Sequence, residues 1–389
     1  MSAVLDDPAV IQRIFDHIDR ETTDLSDVWS LVPVEHYRSP ERFASERAVF
    51  HRWPTPFCPS AALPEPGSFV AREAAGTPLL AVRGKDGRVR AFRNACRHRG
   101  MRVADGSGCA KAFVCRYHGW TYGLDGHLQH VPHAHGFPGL DPAATGLVPV
   151  EVTETRGLVF VRQTHGLGDA GLEELPPLVP EHFRLVRVSE QELPVNWKLV
   201  MDGFLEGYHI RSTHRDTFYP VQFDNLTVVE TFGRNHRVTF PYRTIDKLRD
   251  VPPEERRVDG RVLTFVYHLF PNVILATFPE QMKLVAVEPL AHDRMKFVVY
   301  TLTGRREDET DGMKEVERAG DFSNAGAIED AAVALGIQRG LESGANEFFE
   351  LGRFEGALTD FHRSLDDAIE ACRREPAGGG ARSIEVFGS

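Results

Sequence analysis

Two cysteines and two histidines stand in two short runs, Cys96-Arg97-His98 and, sixteen residues later, Cys115-Arg116-Tyr117-His118. A glycine follows each run, Gly100 after the first and Gly119 after the second. Thiolates bind iron tightly, and imidazoles can replace two of the four thiolates on one iron of a [2Fe–2S] centre, which raises its reduction potential. A Cys2His2 zinc site uses the same residue types, but zinc fingers usually present a Cys pair and then a His pair on a helix. Here each loop offers one Cys and one His, so an iron–sulfur cluster is the preferred reading, with zinc and a chance grouping as alternatives. Cys58, Cys109 and Cys372 match no ligand position and read as small buried residues.

A second constellation follows a hundred residues later, in Asn196-Trp197-Lys198 through Glu206-Gly207-Tyr208-His209 to His214. His209 and His214 are five apart, so a helix carrying both must loosen or end between them. Two histidines and one carboxylate make a facial triad that leaves coordination positions open for O2. The carboxylate must come from elsewhere, and Asp330 is the best candidate. It is read as opening a helix whose stripe Ile328, Ala332 and Leu335 packs on the 196–212 helix. On the residues alone, the histidine pair reads more readily as ordinary than as metal-binding.

The elements that would hold these residues fall into two textures. Short strand-like runs with turn punctuation extend from about 66 to 161 and suggest a small all-β domain. Residues 165–182 read as a linker or crossover. A helix over about 196–212 then leads into alternating strands, from Thr227–Val229 to Lys296–Leu302. Residues 305–317 read as a charged, solvated loop. Helices over about 326–350 and 358–372 close the chain, the second with Leu358, Phe361, Leu365, Ala368 and Cys372 on one stripe. Near the N-terminus, Ile11, Ile14 and Ile18 give a weak helical period, with Asp7 as its cap.

The chain has 389 residues, enough for two domains. A net charge of −11 excludes nucleic acid as the main partner. No apolar run is long enough to span a membrane. The N-terminus carries acidic residues where a secretion signal would carry basic ones, so a cytoplasmic protein is expected. No dinucleotide fingerprint Gly-x-Gly-x-x-Gly follows a strand. Electrons for any oxygen chemistry must then come from another protein, a reductase drawing on NAD(P)H.

The residues from Asn94 to Met101 and from Cys115 to Tyr122 resemble the Rieske family closely, and the resemblance runs over roughly residues 30–372. The catalytic part resembles the alpha subunits of Rieske non-haem iron aromatic-ring-hydroxylating-type oxygenases. They share Asn-Trp-Lys, a carboxylate three residues before the first His, and a distant Glu-Asp pair followed by Gln338-Arg339-Gly340-Leu341. The resemblance implies an α+β chain: an N-terminal all-β Rieske domain, then a catalytic domain with a curved antiparallel sheet flanked by helices. Its divisions are a helical segment over 1–45 packing on the catalytic domain, a cluster domain over 46–165, and a mononuclear-iron domain over 166–389. It implies that Cys96 and Cys115 hold one iron of the [2Fe–2S] cluster and His98 and His118 the other. It implies His209, His214 and Asp330 on a mononuclear Fe(II), with Glu329 as the runner-up for the third ligand.

Glu206 takes the place of a carboxylate that, in this family, links the iron-site histidine of one subunit to a cluster histidine of the next. Many members have Asp there, and Glu is also seen in members acting on quaternary amines. Asp202, one helical turn earlier, reads equally as a supporting or a solvated residue. The implied protein is a homotrimer served by a reductase and possibly a ferredoxin. Its expected reaction is O2-dependent hydroxylation, dihydroxylation or N/O-demethylation of a small organic substrate, an aromatic acid or a methylated amine. A Rieske electron carrier without oxygenase activity is the competing reading, but it would need only the β domain. Candidate pocket residues are Phe204, Phe218, Tyr219, Val266, His268, Phe270, Asn272 and Phe278.

Overall fold

The computed structural model describes residues 4–375 except 165, 168–170 and 307. Two seven-stranded antiparallel sheets organise it. The first runs, edge to edge, Thr55–Pro59, Leu158–Arg162, Pro149–Thr155, Val89–Arg93, Thr77–Arg83, Ser68–Ala74 and Gly106–Cys109. A small three-stranded sheet, Phe113–Val114, Thr121–Tyr122 and Leu128–His130, sits beside it. The second large sheet is a meander over Val228–Phe232, Asn235–Pro241, Leu263–Leu269, Val273–Phe278, Gln281–Ala291 and Arg294–Thr303, with Arg184–Leu193 added at the far edge. The α+β class and the order of a β domain before a catalytic domain are as expected.

Strand alternation gives the second sheet two dissimilar faces. Leu284, Ala286, Val298 and Leu302 join a core with Val10, Ile11 and Ile14 of the N-terminal helix Asp7–Arg20 and with Phe57, Leu79 and Leu158 of the first sheet. Val285, Val287 and Val266 face the other way, into a core with Trp197, Phe361, Leu365 and Ala334 from three helices. A buried ion pair ties the two sheets together: Arg72 Nη1 lies 2.5 Å from Glu288 Oε1, and Glu288 Oε2 accepts from Ala75 N at 2.9 Å.

Several local expectations shift. The N-cap of the first helix is Asp6, whose carboxylate accepts from Ala9 N at 3.0 Å and is worth about 1 kcal/mol; Asp7 falls in the first turn. The expected helix over 196–212 ends at Phe204 and resumes as a short turn over Ile210–Thr213. Residues 305–317 are not a loop throughout, because a helix begins at Thr310 and runs unbroken to Leu341. Its charged start is steadied by close pairs such as Arg305–Glu309 and Lys314–Asp311. Asp330 therefore lies inside this long helix rather than opening one. Of the stripe assigned to its buried face, Leu335 packs on the core with Trp197 as expected, but Ile328 is 71% exposed and Ala332 is exposed too; Ala334 is buried instead. The closing helix, Gly356–Arg374, buries all five residues of its expected stripe. Part of the 165–182 stretch lies outside the described residues.

Candidate metal centres

The two cluster loops have the same construction. Cys96 N donates to Met101 O at 2.8 Å and Gly100 N to Cys96 O at 2.8 Å; Cys115 N donates to Trp120 O at 2.8 Å and Gly119 N to Cys115 O at 2.9 Å. Gly100 and Gly119 take φ of 79° and 74°, the left-handed region where a side chain is strained, which lets each loop close behind its histidine. The cysteines are buried and His118 is exposed, so the sulfur side faces the protein and the imidazole side faces solvent. The Nδ1 atoms of His98 and His118 approach to 3.0 Å, and Trp120 stacks on the His98 ring at 5.0 Å. The Tyr122 hydroxyl lies 3.2 Å from Cys96 Sγ and accepts from Arg97 N at 2.9 Å.

This geometry separates the two metal readings. One zinc ion would draw all four ligand atoms to one point. Among the described residues, however, the only set of three or more His, Cys, Asp or Glu whose ligand atoms converge is elsewhere in the chain. The His98 and His118 nitrogens meet, but neither cysteine sulfur lies within 4.8 Å of both of them, an arrangement that suits two irons better than one zinc. Cys109, expected to be buried, is exposed on an edge strand.

The converging set is His209, His214 and Asp330, with ligand atoms all within 4.8 Å of one another. The interruption of the helix between Phe204 and Ile210 makes this possible. The Glu206 carboxylate accepts from the backbone N–H groups of Tyr208 and His209, taking over the role of helical carbonyls and turning the chain before the first histidine. His209 and His214 then flank the one-turn helix Ile210–Thr213. Both rings present Nε2 to Asp330 Oδ1, at 3.7 Å and 2.9 Å.

Each ring's other nitrogen meets a glutamate. His209 Nδ1 donates to Glu206 Oε1, and His214 Nδ1 donates to Glu329 Oε2 at 2.7 Å. Glu329 Oε2 also accepts from Thr217 Oγ1 at 2.6 Å. Glu329 thus sits behind His214, on the side away from the point of convergence. Carboxylates in these positions fix the ring tautomer, leaving Nε2 free for a metal, and raise its basicity. Burial pushes His209 down, but the hydrogen bond and charge of Glu206, then the charge of Asp330, outweigh it, and the net shift is upward. Glu355, which sequence reasoning missed, is pushed up to about 7 by burial first and then by Glu206 and Asp202.

The supports are deeply buried. Asp202 is a supporting residue: it accepts from Tyr37 Oη at 2.7 Å and pairs with His362 Nε2 at 2.9 Å. Glu46, wholly buried, pairs with Lys198 Nζ at 2.8 Å and accepts from Trp197 Nε1 at 2.8 Å. Asn196 caps the helix by accepting from Lys198 N, and Gln338 of the long helix accepts from Asn196 N at 2.7 Å. The Asn-Trp-Lys and Gln338 signatures therefore lock the two iron-site helices together.

Of the eight candidate pocket residues, Phe218 is the one seen against a metal-site ring, 4.5 Å from His214. Its other neighbour is Phe322, at 4.8 Å, which the sequence reading did not include. Phe218 fits only because residue 326 is glycine, since a Cβ there would lie 2.1 Å from Phe218 Cζ. His268 is instead fully buried against His236, with Nδ1 atoms 3.1 Å apart.

Comparison with known proteins finds a match for each half of the chain. The family described as "Rieske [2Fe-2S] domain" matches residues 54–149, and "Ring hydroxylating alpha subunit (catalytic domain)" matches residues 181–371. The chloroplastic choline monooxygenase of Spinacia oleracea is 27% identical over 331 residues, covering 79% of this chain and 70% of that protein. The carnitine monooxygenase oxygenase subunit of Escherichia coli K12 is 32% identical over 210 residues, covering 51% of this chain and 55% of its own length. A quaternary ammonium Rieske monooxygenase solved with L-carnitine superimposes with a TM-score of 0.73 at 22% identity, over 88% of this chain and 96% of that one. A Rhodococcus naphthalene 1,2-dioxygenase bound to indole gives 0.72 at 19% identity, over 94% and 98%, so these likenesses speak for the fold. With a [2Fe–2S] domain ahead of a mononuclear-iron domain, this chain belongs to the Rieske non-haem iron oxygenases as a catalytic alpha subunit.

Proposed function

We propose that this chain is the oxygenase component of a multicomponent system that hydroxylates a C–H bond beside the nitrogen of a methylated amine. The balance is one substrate, one O2, two electrons and two protons giving one hydroxylated product and one water. Hydroxylation on a carbon bound to nitrogen then releases an aldehyde and a smaller amine. The electrons come from NAD(P)H through a separate reductase, with or without a ferredoxin, in the cytoplasm. The observation that carries this reading is the convergence of His209, His214 and Asp330 in front of two histidine-orienting glutamates. The choice of a methylated amine over an aromatic ring rests on Glu206, where many family members have Asp, and on the choline and carnitine enzymes among its relatives.

In this reading Cys96, Cys115, His98 and His118 hold the cluster, and His209, His214 and Asp330 hold the ferrous ion. The bound iron supplies O2 activation. The chain's own residues do the rest: Glu206 and Glu329 hold the tautomers of the two histidines, and Phe218 and Phe322 keep water from one side of the site. The working unit is a homotrimer in which the cluster tip of one copy docks beside Glu206 of the next. Tyr117 at the tip and Tyr208 beside Glu206 are 54% and 59% exposed, large rings available for such a contact.

The test is a substrate screen with the purified holoprotein and a surrogate reductase, measuring O2 uptake, aldehyde release and iron content. Three irons per chain and aldehyde formed in step with O2 from a methylated amine are expected. Two irons per chain would leave only an electron carrier, and a cis-diol from an aromatic acid would replace the amine reading.

A further inference from the structure

Four of the chain's 17 histidines fall in the nine residues from His127 to His135, a stretch to which the oxygenase chemistry gives no role. All four are exposed. His127 is taken by Asp125, whose Oδ2 lies 3.3 Å from its Nδ1. His130 ends the strand Leu128–His130 and pairs across it with Thr121. The other two, His133 and His135, have each other: their ring centres are 6.0 Å apart and the rings cross at 89°. Among the described residues no protein group hydrogen-bonds a ring nitrogen of either.

Other histidine pairs in the chain give the measure of this one. His98 and His118 of the cluster loops lie 4.6 Å apart, centre to centre, and His209 and His214 of the iron site 5.0 Å; both pairs cross steeply, at 66°. The buried His236 and His268 instead stack nearly parallel, at 14°. By both measures His133 and His135 resemble the metal-site pairs. The backbone is bent to bring them together. His133 takes φ 52° and ψ 44°, a left-handed conformation that costs a residue with a side chain about 1–3 kcal/mol and that clusters at ligand-binding positions. A tight turn over Ala134–Gly136 follows, closed by Gly136 N donating to His133 O at 2.9 Å.

The same loop touches both cluster loops. Phe137, two residues and at most about 7 Å of chain beyond His135, packs against His98 and Trp120 with ring centres 5.7 Å and 5.5 Å apart. On the other side Pro132 covers Gly119, the residue after His118, where a Cβ would lie 3.1 Å from Pro132 Cγ. The pair is therefore carried on a segment that clasps the imidazole edge of the cluster.

We propose that His133 and His135 form a third metal site, for a late first-row divalent ion such as Zn2+, and that an ion held there raises the reduction potential of the cluster. Imidazole suits zinc, nickel and copper, whereas hard cations such as Mg2+ prefer oxygen ligands. Two ring nitrogens leave the remaining coordination positions to water, so the ion exchanges with solvent, unlike the closed four-ligand sites that hold a fold together. A dipositive charge beside the imidazole edge favours the reduced, more negative cluster, which fixes the sign of the effect. None of this depends on which substrate the oxygenase takes.

The experiment is titration of the iron-loaded protein with ZnCl2, read by calorimetry and by spectroelectrochemistry of the cluster band, with MgCl2 as the control. One Zn2+ per chain should bind without displacing iron, and the cluster potential should rise as it binds. His133→Asn, a residue that tolerates the left-handed backbone, and His135→Gln each remove one ligand. Each should weaken Zn2+ by more than the about ten- to hundredfold that losing a supporting partner costs a metal site. Without Zn2+, both variants should keep the spectrum, iron content and potential of wild type. His127→Gln and His130→Gln should bind Zn2+ as wild type does. No Zn2+ bound more tightly than about 1 mM, binding that survives either His133→Asn or His135→Gln, or equal binding of Mg2+ would each overturn the proposal. So would a bound Zn2+ that leaves the cluster potential unchanged or lowers it.

Discussion

Glu206 holds the Nδ1 of His209 and, with the same carboxylate, the two backbone N–H groups that turn the chain before that histidine. One side chain therefore shapes the loop and orients the ring. Gln at this position keeps the length but loses the charge, so one oxygen can still hold the turn while the imidazole loses its anionic partner. Glu206→Gln should retain three irons per chain and accept electrons into its cluster. Single-turnover oxidation of the cluster, with substrate and O2 present, should slow about ten- to a hundredfold. Rapid-mixing spectroscopy of the cluster band checks this, and a wild-type rate would remove Glu206 from the relay.

Asp330 and Glu329 are adjacent in sequence but serve opposite nitrogens of His214: Asp330 faces Nε2 at 2.9 Å and Glu329 faces Nδ1 at 2.7 Å. The two substitutions should therefore separate. Asp330→Ala should lose the mononuclear iron and all turnover while leaving the cluster spectrum unchanged. Glu329→Gln should keep the iron but bind it about ten- to a hundredfold more weakly, because a histidine without its carboxylate partner is a poorer and less ordered ligand. Metal analysis after dialysis against a graded chelator distinguishes them, and the reverse order would exchange their roles.

What was legible in the sequence was what is local. Each cluster loop closes within six residues, so its Cys, His and Gly spacing carries the geometry, and His209 and His214 likewise flank a single turn. Asp330 is more than a hundred residues away, and spacing alone could not select it; the resemblance did. The long helix was misread at its start because its first turns over Thr310–Glu317 are mostly charged, leaving little apolar period to detect. The strand Arg184–Leu193 was missed for a related reason: it is an edge strand, mostly exposed, and shows little apolar alternation. The place of Phe218 depends on Gly326, a contact between distant segments that no local pattern encodes.

The Tyr122 hydroxyl lies 3.2 Å from Cys96 Sγ, and hydrogen bonds to cluster sulfurs favour the reduced, more negative state. Tyr122→Phe keeps the ring, which is wholly buried, and removes this donor. The cluster should still assemble, with its reduction potential lowered. A hydrogen bond of about 1 kcal/mol corresponds to roughly 40 mV for one electron. Spectroelectrochemical titration reads the shift directly. An unchanged or raised potential would show that the hydroxyl serves only its other partner, Arg97 N.

The surface around the exposed His118 is basic in a chain whose net charge is −11. Arg97, Arg99, Arg102, Lys111 and Arg116 are exposed, while Arg93 is half-buried and donates to Gln163 O at 3.3 Å. Arg102 lies 3.6 Å from Asp105 and 4.0 Å from Glu73, and Lys111 shares a cavity with Asp86 and Asp125, but among the described residues Arg97, Arg99 and Arg116 have no carboxylate within 4.0 Å. Such a patch draws an acidic electron donor to the imidazole edge of the cluster, and salt screens that attraction over about 8–10 Å at ordinary ionic strength. Electron transfer from an acidic ferredoxin or reductase domain should therefore slow as salt is raised. Arg99→Glu with Arg116→Glu should lower the bimolecular rate by roughly an order of magnitude at low salt and flatten its salt dependence, because steering acts on the encounter. The spectrum and iron content of the double variant should stay unchanged. Stopped-flow reduction of the cluster across a salt series makes the measurement. A rate indifferent both to salt and to the double reversal would place the donor's docking site on another face.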